Sequence, residues 1–266
     1  MIVAILQART GSTRLPGKVL LPILGEPMIA RQIERLRRSR RIDRLLVATS
    51  NSAEDDPLAG LCARIGIPCY RGDLEDVLDR FYRAAIANGA RHIVRLTGDC
   101  PLADPVEIDR LVEFYLEGGF DYASNCLEPS LPDGLDAEIF SFSTLARTWS
   151  EAHLASEREH VTLYITKHPE QFHIGSLRTE LDRSHMRWTV DEPEDLEFVR
   201  RVFEALYPQN PAFGSKEVLQ LLAAKPELTR INAKYRRNEG LERSLRKERS
   251  DEIKFTPSAA CPREPR

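Results

Sequence analysis

The sequence predicts an α/β protein whose mostly parallel central sheet carries helices on both faces. Short apolar runs of strand composition recur along the chain, and stretches with helical apolar spacing separate them. Such alternation is typical of parallel strands joined by right-handed crossovers, because each helix returns the chain to the same edge of the sheet. Ligands bind beyond the carboxyl ends of the strands in this architecture. The polar loops that follow the apolar runs are therefore the first candidates for a site.

The elements follow one another in the order that this fold class requires. Residues 2–6 form the first apolar run, and Met28, Ile29, Ile33 and Leu36 then make one helical stripe. The later predicted segments are, in order, a strand at 45–49, a helix-like stretch at 53–66, a short strand at 69–70, a helix at 75–89, a strand at 92–96, a helical pair around 143–167, a strand at 186–190 and a helix at 191–206.

One main domain with an arm and a tail is expected. At 266 residues the chain lies near the upper end of what one hydrophobic core organises, so we assign residues 1–231 to a single domain. The regular alternation of strand-like and helix-like segments changes after about Phe120. The stretch from about 141 to 186 is predicted to be an arm. Residues 232–266 have few apolar side chains, mixed charges and three late prolines, which is typical of a disordered tail.

Composition excludes several classes of protein. The 38 Lys and Arg residues against 41 Asp and Glu residues give a formal charge of -3, so the chain has no general basic field for nucleic acid. The five cysteines form no C-x-x-C pair, which favours reduced thiols over a disulfide framework or a zinc site. The opening apolar run is too short for a signal core or a membrane span. These features predict a cytoplasmic protein with no membrane partner.

The loop after the first run, QARTGSTRLPGK at residues 7–18, has the composition of an anion site. A loop between a strand and a helix can turn several backbone N–H groups toward one point, and Gly11 and Gly17 let the main chain come close. Arg9, Arg14 and Lys18 add the charge that a triphosphate needs. The alternative is an ordinary solvated basic turn. The loop matches neither the dinucleotide-binding nor the P-loop glycine pattern.

Two aspartates follow predicted strands elsewhere in the chain. Asp99, in RLTGDCPL, comes just after a buried run, where Pro101 prevents the strand from continuing. Magnesium usually takes one or two protein carboxylates and leaves its other positions to water and phosphates, so Asp99 suits a half-site; a simple turn cap is the alternative. Asp191 follows the predicted strand 186–190, and with Glu194 and Pro193 it also fits a capping-box-like helix start. Both roles are compatible for Asp191.

Several weaker features have plain structural interpretations. Asp76 and Arg80, four residues apart, are most simply an exposed ion pair within a helix. Ser156 and Glu159 are spaced as a capping box, next to a histidine of structural type. The carboxylates of the GLDAE segment, Asp136 and Glu138, are our candidates for contacts to an acceptor substrate, with buried turn carboxylates as the alternative.

The chain resembles the cytidylyltransferase family that makes CMP-activated acidic sugars, and within it the branch called spore coat polysaccharide biosynthesis protein F. The matching segments are QARTGSTRLPGK, VATS, RGDLEDVLDRF, RLTGDCPL, PDGLDAEIFS, SEREHVT and RWTVDEPEDL, which together run through most of residues 1–206. The sequence departs from the branch at Leu163, where a proline usually follows the threonine.

The resemblance implies a Rossmann-like nucleotidyltransferase fold that binds CTP and Mg²⁺. It assigns the cation to Asp99 and Asp191, and catalysis to Arg9, Lys18 and Asp99. The nucleotide-binding positions would be Ala8, Arg9, Gly11, Ser12, Arg14, Lys18 and Arg80. Members of the family are commonly homodimers, and here the stretch from about 141 to 186 would cross to the partner.

The predicted activity is the magnesium-dependent transfer of CMP from CTP to a sugar acid, with release of pyrophosphate, in surface polysaccharide biosynthesis. The attacking oxygen belongs to the substrate, so the protein needs no nucleophile, and catalysis is positioning plus charge neutralisation. A nucleotide-sugar glycosyltransferase is one alternative, although the chain has no D-x-D metal motif. A noncatalytic nucleotide-binding protein is the other.

Overall fold

The computed structural model describes residues 1–237. The strands of this part of the chain are β1 (Ile2–Gln7), β2 (Pro22–Ile23), β3 (Glu26–Pro27), β4 (Arg44–Ser50), β5 (Cys69–Gly72), β6 (His92–Thr97), β7 (Tyr122–Ser124), β8 (Glu138–Ser141) and β9 (Ile174–Ser176). Its α-helices are α1 (Met28–Leu36), α2 (Asp56–Arg64), α3 (Val77–Ala87), α4 (Pro105–Gly118), α5 (Phe142–Glu151), α6 (Ala155–Glu159), α7 (Leu163–Lys167), α8 (Pro193–Leu206) and α9 (Ser215–Ala224).

Seven strands form the central sheet, in the order β5-β4-β1-β6-β8-β7-β9. β1 pairs in parallel with both β4 and β6, and β5 continues the parallel arrangement on the outside of β4. Only β8 runs antiparallel to its neighbours β6 and β7. The remaining pair, β2 and β3, makes a separate small hairpin. The prediction of a mostly parallel sheet is confirmed.

Side chains of β1 point alternately to two hydrophobic clusters, one on each face of the sheet. Val3 and Ile5 belong to one cluster and Ala4 and Leu6 to the other, and all four are fully buried. A strand covered on both faces reads as a continuous apolar run, which is why residues 2–6 show no polar alternation. Helices α1, α2, α4, α8 and α9 pack on the Leu6 side, and α3, α5 and α7 pack on the Ile5 side.

The stretch that we predict to be an arm, about 141 to 186, is for the most part packed on the domain. Leu145, Ile165 and Phe172 are buried in the same cluster as Ile5, and β9 adds an edge strand to the central sheet. The helices predicted from the apolar spacing of this stretch therefore cover one face of the sheet.

Three local predictions are wrong. Residues 186–190 form no strand of the sheet; an isolated bridge joins Arg187 to Asp133. α8 begins at Pro193, as expected for proline, but Asp195 rather than Glu194 accepts the backbone N–H of Glu192, at 3.0 Å. α6 begins at Ala155, before the proposed Ser156 cap.

The predicted tail starts too early. Asn232 is only 3% exposed, and residues 232–237 are fixed against the domain by hydrogen bonds described below. The remainder of the predicted tail, 238–266, lies outside the described residues. Within residues 1–237, no helix has the length and apolarity needed to cross a bilayer.

Candidate active site

Two adjacent cavities open beyond the carboxyl ends of β1 and β6. The smaller, of about 380 Å³, is lined by the opening loop, including Ala8, Gly11 and Ser12. The larger has a volume of about 430 Å³. The residues shared by both walls are Arg14, Thr97, Asp99, His160 and Asp191. The two predicted metal ligands therefore lie at the junction of the cavities.

The opening loop is held at its first turn by a buried aspartate that the sequence analysis did not single out. Asp55 accepts hydrogen bonds from the backbone N–H and the hydroxyl of Thr10, at 2.7 and 2.8 Å. It also accepts the backbone N–H of Ser50 at 3.1 Å and the Ser50 hydroxyl. Burial disfavours the charge of Asp55, but these hydrogen bonds keep its pKa below the ordinary value. The carboxylate ties the loop to the end of β4.

The far end of the loop directs Lys18 toward both predicted aspartates. Gly17 has a φ of 67°, in the left-handed region, and this turns the chain into a short 3₁₀ helix that starts at Lys18. The Lys18 ammonium donates to Asp191 Oδ1 at 2.8 Å and lies 3.4 Å from Asp99 Oδ2. A third bond goes to the carbonyl of Val190 at 2.8 Å. The structure thus brings together the loop and the two aspartates.

The pairing of these groups sets their charge. Burial opposes the charge of Lys18, but the nearby carboxylates of Asp99 and Asp191 raise its pKa above the ordinary value. Asp99 is also desolvated, and Lys18 holds its pKa below the usual range. Arg14 adds a second cation, 2.9 Å from Asp191 Oδ1. Two of the three predicted phosphate-binding cations are therefore in contact with carboxylates.

Asp191 reaches this junction although its segment is not a sheet strand. The backbone N–H of Val190 donates to the carbonyl of Asp99 at 2.8 Å, which places the two segments side by side. Arg187 holds the segment from the other side, because its guanidinium contacts Asp195 at 2.8 Å and Asp191 and Asp133 at 3.2 Å each. A buried arginine fork that spans three carboxylates fixes their relative positions.

Arg80 is not the exposed partner of Asp76 that the spacing predicts. Asp76 caps α3, accepting the Asp79 N–H at 2.9 Å, and pairs with Arg158 at 2.5 Å. Arg80 is only 1% exposed and lines the smaller cavity. It passes over Gly72, where a Cβ would lie 2.5 Å from the Arg80 Cγ, so this position has no room for a side chain.

Arg80 carries two buried polar atoms that have no partner in the described part of the chain. Within residues 1–237, its Nε and Nη1 atoms have no hydrogen-bond partner. Burial and the nearby charge of Arg9 lower the pKa of Arg80 below its ordinary value. Two cations that face the same cavity and repel each other are stabilised by an anion between them. Arg9 and Arg80 therefore form a cationic wall of the smaller cavity, as the composition of the opening loop leads us to expect.

The two candidate acceptor contacts differ in their environment. Glu138 is buried and accepts hydrogen bonds from the hydroxyls of Tyr122 and Thr162, at 2.6 Å each. It also forms an ion pair with Arg95. Its lone pairs are largely occupied, so it is better suited to hold Arg95 than to contact a substrate. Asp136 keeps 29% of its side chain exposed at the larger cavity and pairs with Arg237.

The donor set at the junction fits a magnesium half-site. Asp99 and Asp191 approach the same ammonium group, so their oxygens face one region. No group of three or more His, Cys, Asp or Glu side chains suitable for a metal occurs among the described residues. Two carboxylates without further protein ligands suit a cation that takes its other ligands from water and phosphate oxygens.

The mostly parallel sheet places the protein in the Rossmann-like α/β class. A cation-rich loop beyond the first strand, with two aspartates facing it, is typical of the nucleotide-binding transferases in that class. Residues 3–223 match the family model described as cytidylyltransferase, and the chain belongs to the cytidylyltransferase family. The resemblance identified from the sequence motifs is confirmed.

Known proteins similar to this chain agree with that assignment. Spore coat polysaccharide biosynthesis protein SpsF of Bacillus subtilis is 33% identical over 85% of this chain and 95% of that protein. The solved structure of a cytidylyltransferase from Leptospira borgpetersenii is 31% identical, with a TM-score of 0.83 over 88% of this chain and 99% of that one. A 3-deoxy-manno-octulosonate cytidylyltransferase from Geobacter sulfurreducens is 37% identical over 42% of this chain and 44% of that protein.

Proposed function

We propose that this protein transfers CMP from CTP to a hydroxyl group of a sugar acid and releases pyrophosphate. The observation that carries the proposal is the meeting of Lys18 with Asp99 and Asp191 at the junction of two cavities. The smaller cavity, with its cationic wall, would hold CTP. The larger would hold the acceptor, so the reacting atoms would lie between the two, beside Lys18.

In the reaction the acceptor oxygen forms a bond to the α-phosphorus, and the bond from that phosphorus to the bridging oxygen breaks. The hydroxyl releases its proton to solvent water, and the electron pair of the broken P–O bond leaves with pyrophosphate. Arg9, Arg14 and Lys18 would stabilise the charge on the departing group, and Arg80 would orient the nucleotide. Mg²⁺ held by Asp99 and Asp191 would supply further positive charge to the phosphates.

Cations in the larger cavity support an acidic acceptor. Four arginines line this cavity, Arg14, Arg95, Arg187 and Arg236, and of these Arg95 and Arg187 are already paired with its carboxylates Glu138 and Asp133. A carboxylate is a matching partner for a guanidinium fork. The name of the Geobacter relative specifies a sugar acid, and that of the Bacillus relative specifies polysaccharide biosynthesis. We therefore propose a ulosonate-like substrate, a role in surface polysaccharide biosynthesis, and a cytoplasmic homodimer.

The test is a screen for pyrophosphate release. Each of the four nucleoside triphosphates is incubated with a panel of ulosonic and other sugar acids, with and without Mg²⁺. We expect release only with CTP, a sugar acid and Mg²⁺ together, and a CMP-sugar as the second product. Release of a sugar from UDP-sugars would instead indicate a glycosyltransferase. CTP binding without turnover over the whole panel would indicate a noncatalytic role.

The contribution of Arg80 can be measured apart from catalysis. Arg80→Met keeps much of the side-chain volume but removes the unpartnered donors, so we expect CTP affinity to fall by about 10- to 100-fold, as for lost charge-assisted hydrogen bonds. Stability to urea should not fall, because no protein hydrogen bond is broken at Nε or Nη1. Titration calorimetry with CTP and urea unfolding measure the two quantities.

Arg83→Met is the matched control for this prediction. Arg83 lies on the same helix, is exposed, and pairs with Asp79 at the surface. Its replacement should leave CTP affinity unchanged. Equal CTP affinities for Arg80→Met and the wild type would remove Arg80 from the nucleotide site.

A further inference from the structure

Residues 232–237, which follow the part of the chain matched by the family model, are fixed against the larger cavity. The Asn232 side-chain amide donates to the carbonyl of Arg187 at 3.0 Å and to Asp195 Oδ1 at 2.9 Å. The Tyr235 hydroxyl donates to Glu194 at 2.8 Å. These contacts anchor the segment to the start of α8, directly behind the candidate metal ligand Asp191.

The end of this segment reaches the cavity wall. The carbonyl of Arg236 accepts a hydrogen bond from Arg187 Nη1 at 3.1 Å. The next residue, Arg237, donates from Nη1 to the carbonyl of Leu131 at 3.2 Å and forms an ion pair with Asp136. Only 13% of the Arg237 side chain is exposed. A guanidinium that is mostly buried and bonded to both a carbonyl and a carboxylate has a defined position.

We propose that segment 232–237 completes the acceptor cavity, and that Arg237 is a positioning residue that holds Asp136 ready to accept a hydrogen bond from a hydroxyl of the acceptor. The family model ends at residue 223, so this contribution comes from chain that the shared motifs do not include. The inference rests on the proposed function, because it concerns the acceptor of that reaction.

The charges around the cavity explain why Asp136 needs a cation. Glu138 is paired with Arg95, and Asp133 with Arg187 at 3.2 Å and more distantly with Arg237 at 3.9 Å. For Asp136, the paired cation in the described part of the chain is Arg237. Burial raises the pKa of Asp136 to about 6, while Arg237 acts in the opposite direction. Without the guanidinium, the pKa of Asp136 would rise further, and a neutral, unanchored carboxyl would accept a hydrogen bond from the acceptor hydroxyl more weakly.

The experiment measures KM for each substrate in full-length variants. The acceptor is the sugar acid that the wild type turns over fastest, with 3-deoxy-manno-octulosonate as the first probe. We expect Arg237→Ala to raise the acceptor KM by about tenfold or more, since it removes a charge-assisted contact, and to leave the CTP KM within about twofold. Arg237→Lys should recover part of the loss, because it restores the charge without the fork.

A double-mutant cycle separates positioning from a general structural effect. In an Asp136→Asn background, Arg237→Ala should change the acceptor KM by less than about twofold, because the carboxylate that it positions is gone. Arg230→Ala is the matched control, since Arg230 is exposed and lies seven residues earlier in the chain. It should leave both KM values unchanged.

The outcomes separate this inference from the proposed function. If the wild type releases pyrophosphate but Arg237→Ala has an unchanged acceptor KM, or if both KM values rise equally, the role of Arg237 is overturned and the proposed function stands. Independent effects of Arg237→Ala and Asp136→Asn would also overturn it. If the wild type shows no turnover with any sugar acid, the proposed function fails, and the acceptor role of Arg237 fails with it.

Discussion

Lys18→Ala is expected to lower kcat for pyrophosphate release by about 100- to 1,000-fold, the loss found when one preorganised charge is removed from a reacting phosphate or oxyanion. The structure gives the reason. Lys18 is held by Asp191, the Val190 carbonyl and Asp99, at the junction of the two cavities. An ammonium fixed at that point costs little reorganisation when charge moves to the leaving group. Single-turnover kinetics at saturating CTP measure the chemical step separately from binding.

Two variants control this experiment. Lys18→Arg keeps the charge but changes its shape, so it should retain more activity than Lys18→Ala. Lys216→Ala removes an exposed lysine of α9 and should leave kcat unchanged. Urea unfolding checks that Lys18→Ala remains folded, since its loss leaves Asp99 and Asp191 with one cation fewer. A folded Lys18→Ala protein with wild-type kcat would exclude Lys18 from catalysis.

The parts of the fold that the sequence predicts well are those whose burial follows a simple period. Residues 3–6 of the first run and the stripe of Met28, Ile29, Ile33 and Leu36 are apolar and buried by the sheet and α1. The opening loop was identifiable for a different reason. Its glycines and cations cannot continue a strand, and its place after the first parallel strand puts it at the binding edge.

Failures occurred where polar contacts replace the periodic pattern. Residues 186–190 have strand composition, but their Val190 N–H bonds to the Asp99 carbonyl and not to a sheet neighbour. Arg80 and Asp76 have the spacing of a surface ion pair, but Asp76 pairs with Arg158 instead. Spacing along one helix carries no information on a competing partner from another element.

Long-range pairings were beyond any local signal. The contact of Thr10 with Asp55 spans 45 positions, and that of Arg237 with Asp136 spans 101. Segment 232–237 has the composition of a disordered tail. Its stabilising contacts are polar, and each partner lies elsewhere in the fold, so the composition of the segment does not reveal them. Composition measures how much apolar area a segment can bury, and this segment is held by hydrogen bonds and ion pairs instead.

Asp99→Asn is expected to reduce kcat by at least about 100-fold and to abolish the dependence of the remaining rate on Mg²⁺. Asparagine has nearly the same shape, and its side-chain oxygen can still accept the 2.6 Å hydrogen bond that the Thr97 hydroxyl makes to Oδ1. The change therefore keeps the side-chain volume, removes the charge and puts an amide N–H in place of the Oδ2 acceptor that faces Lys18. Magnesium titration of pyrophosphate release measures the effect on activity.

A second readout of Asp99→Asn does not depend on turnover. Mn²⁺ binding in the presence of CTP, followed by electron paramagnetic resonance, should weaken because one of two anionic ligands is lost. Asp182→Asn is the matched control, since Asp182 is exposed and, within residues 1–237, bonds inside its own turn to the Ser184 N–H at 2.8 Å. Wild-type Mn²⁺ affinity and an unchanged magnesium titration in Asp99→Asn would show that this carboxylate does not hold the cation. Its contact with Lys18 would then be a structural ion pair, and the cation would have to be held by Asp191 and the phosphates.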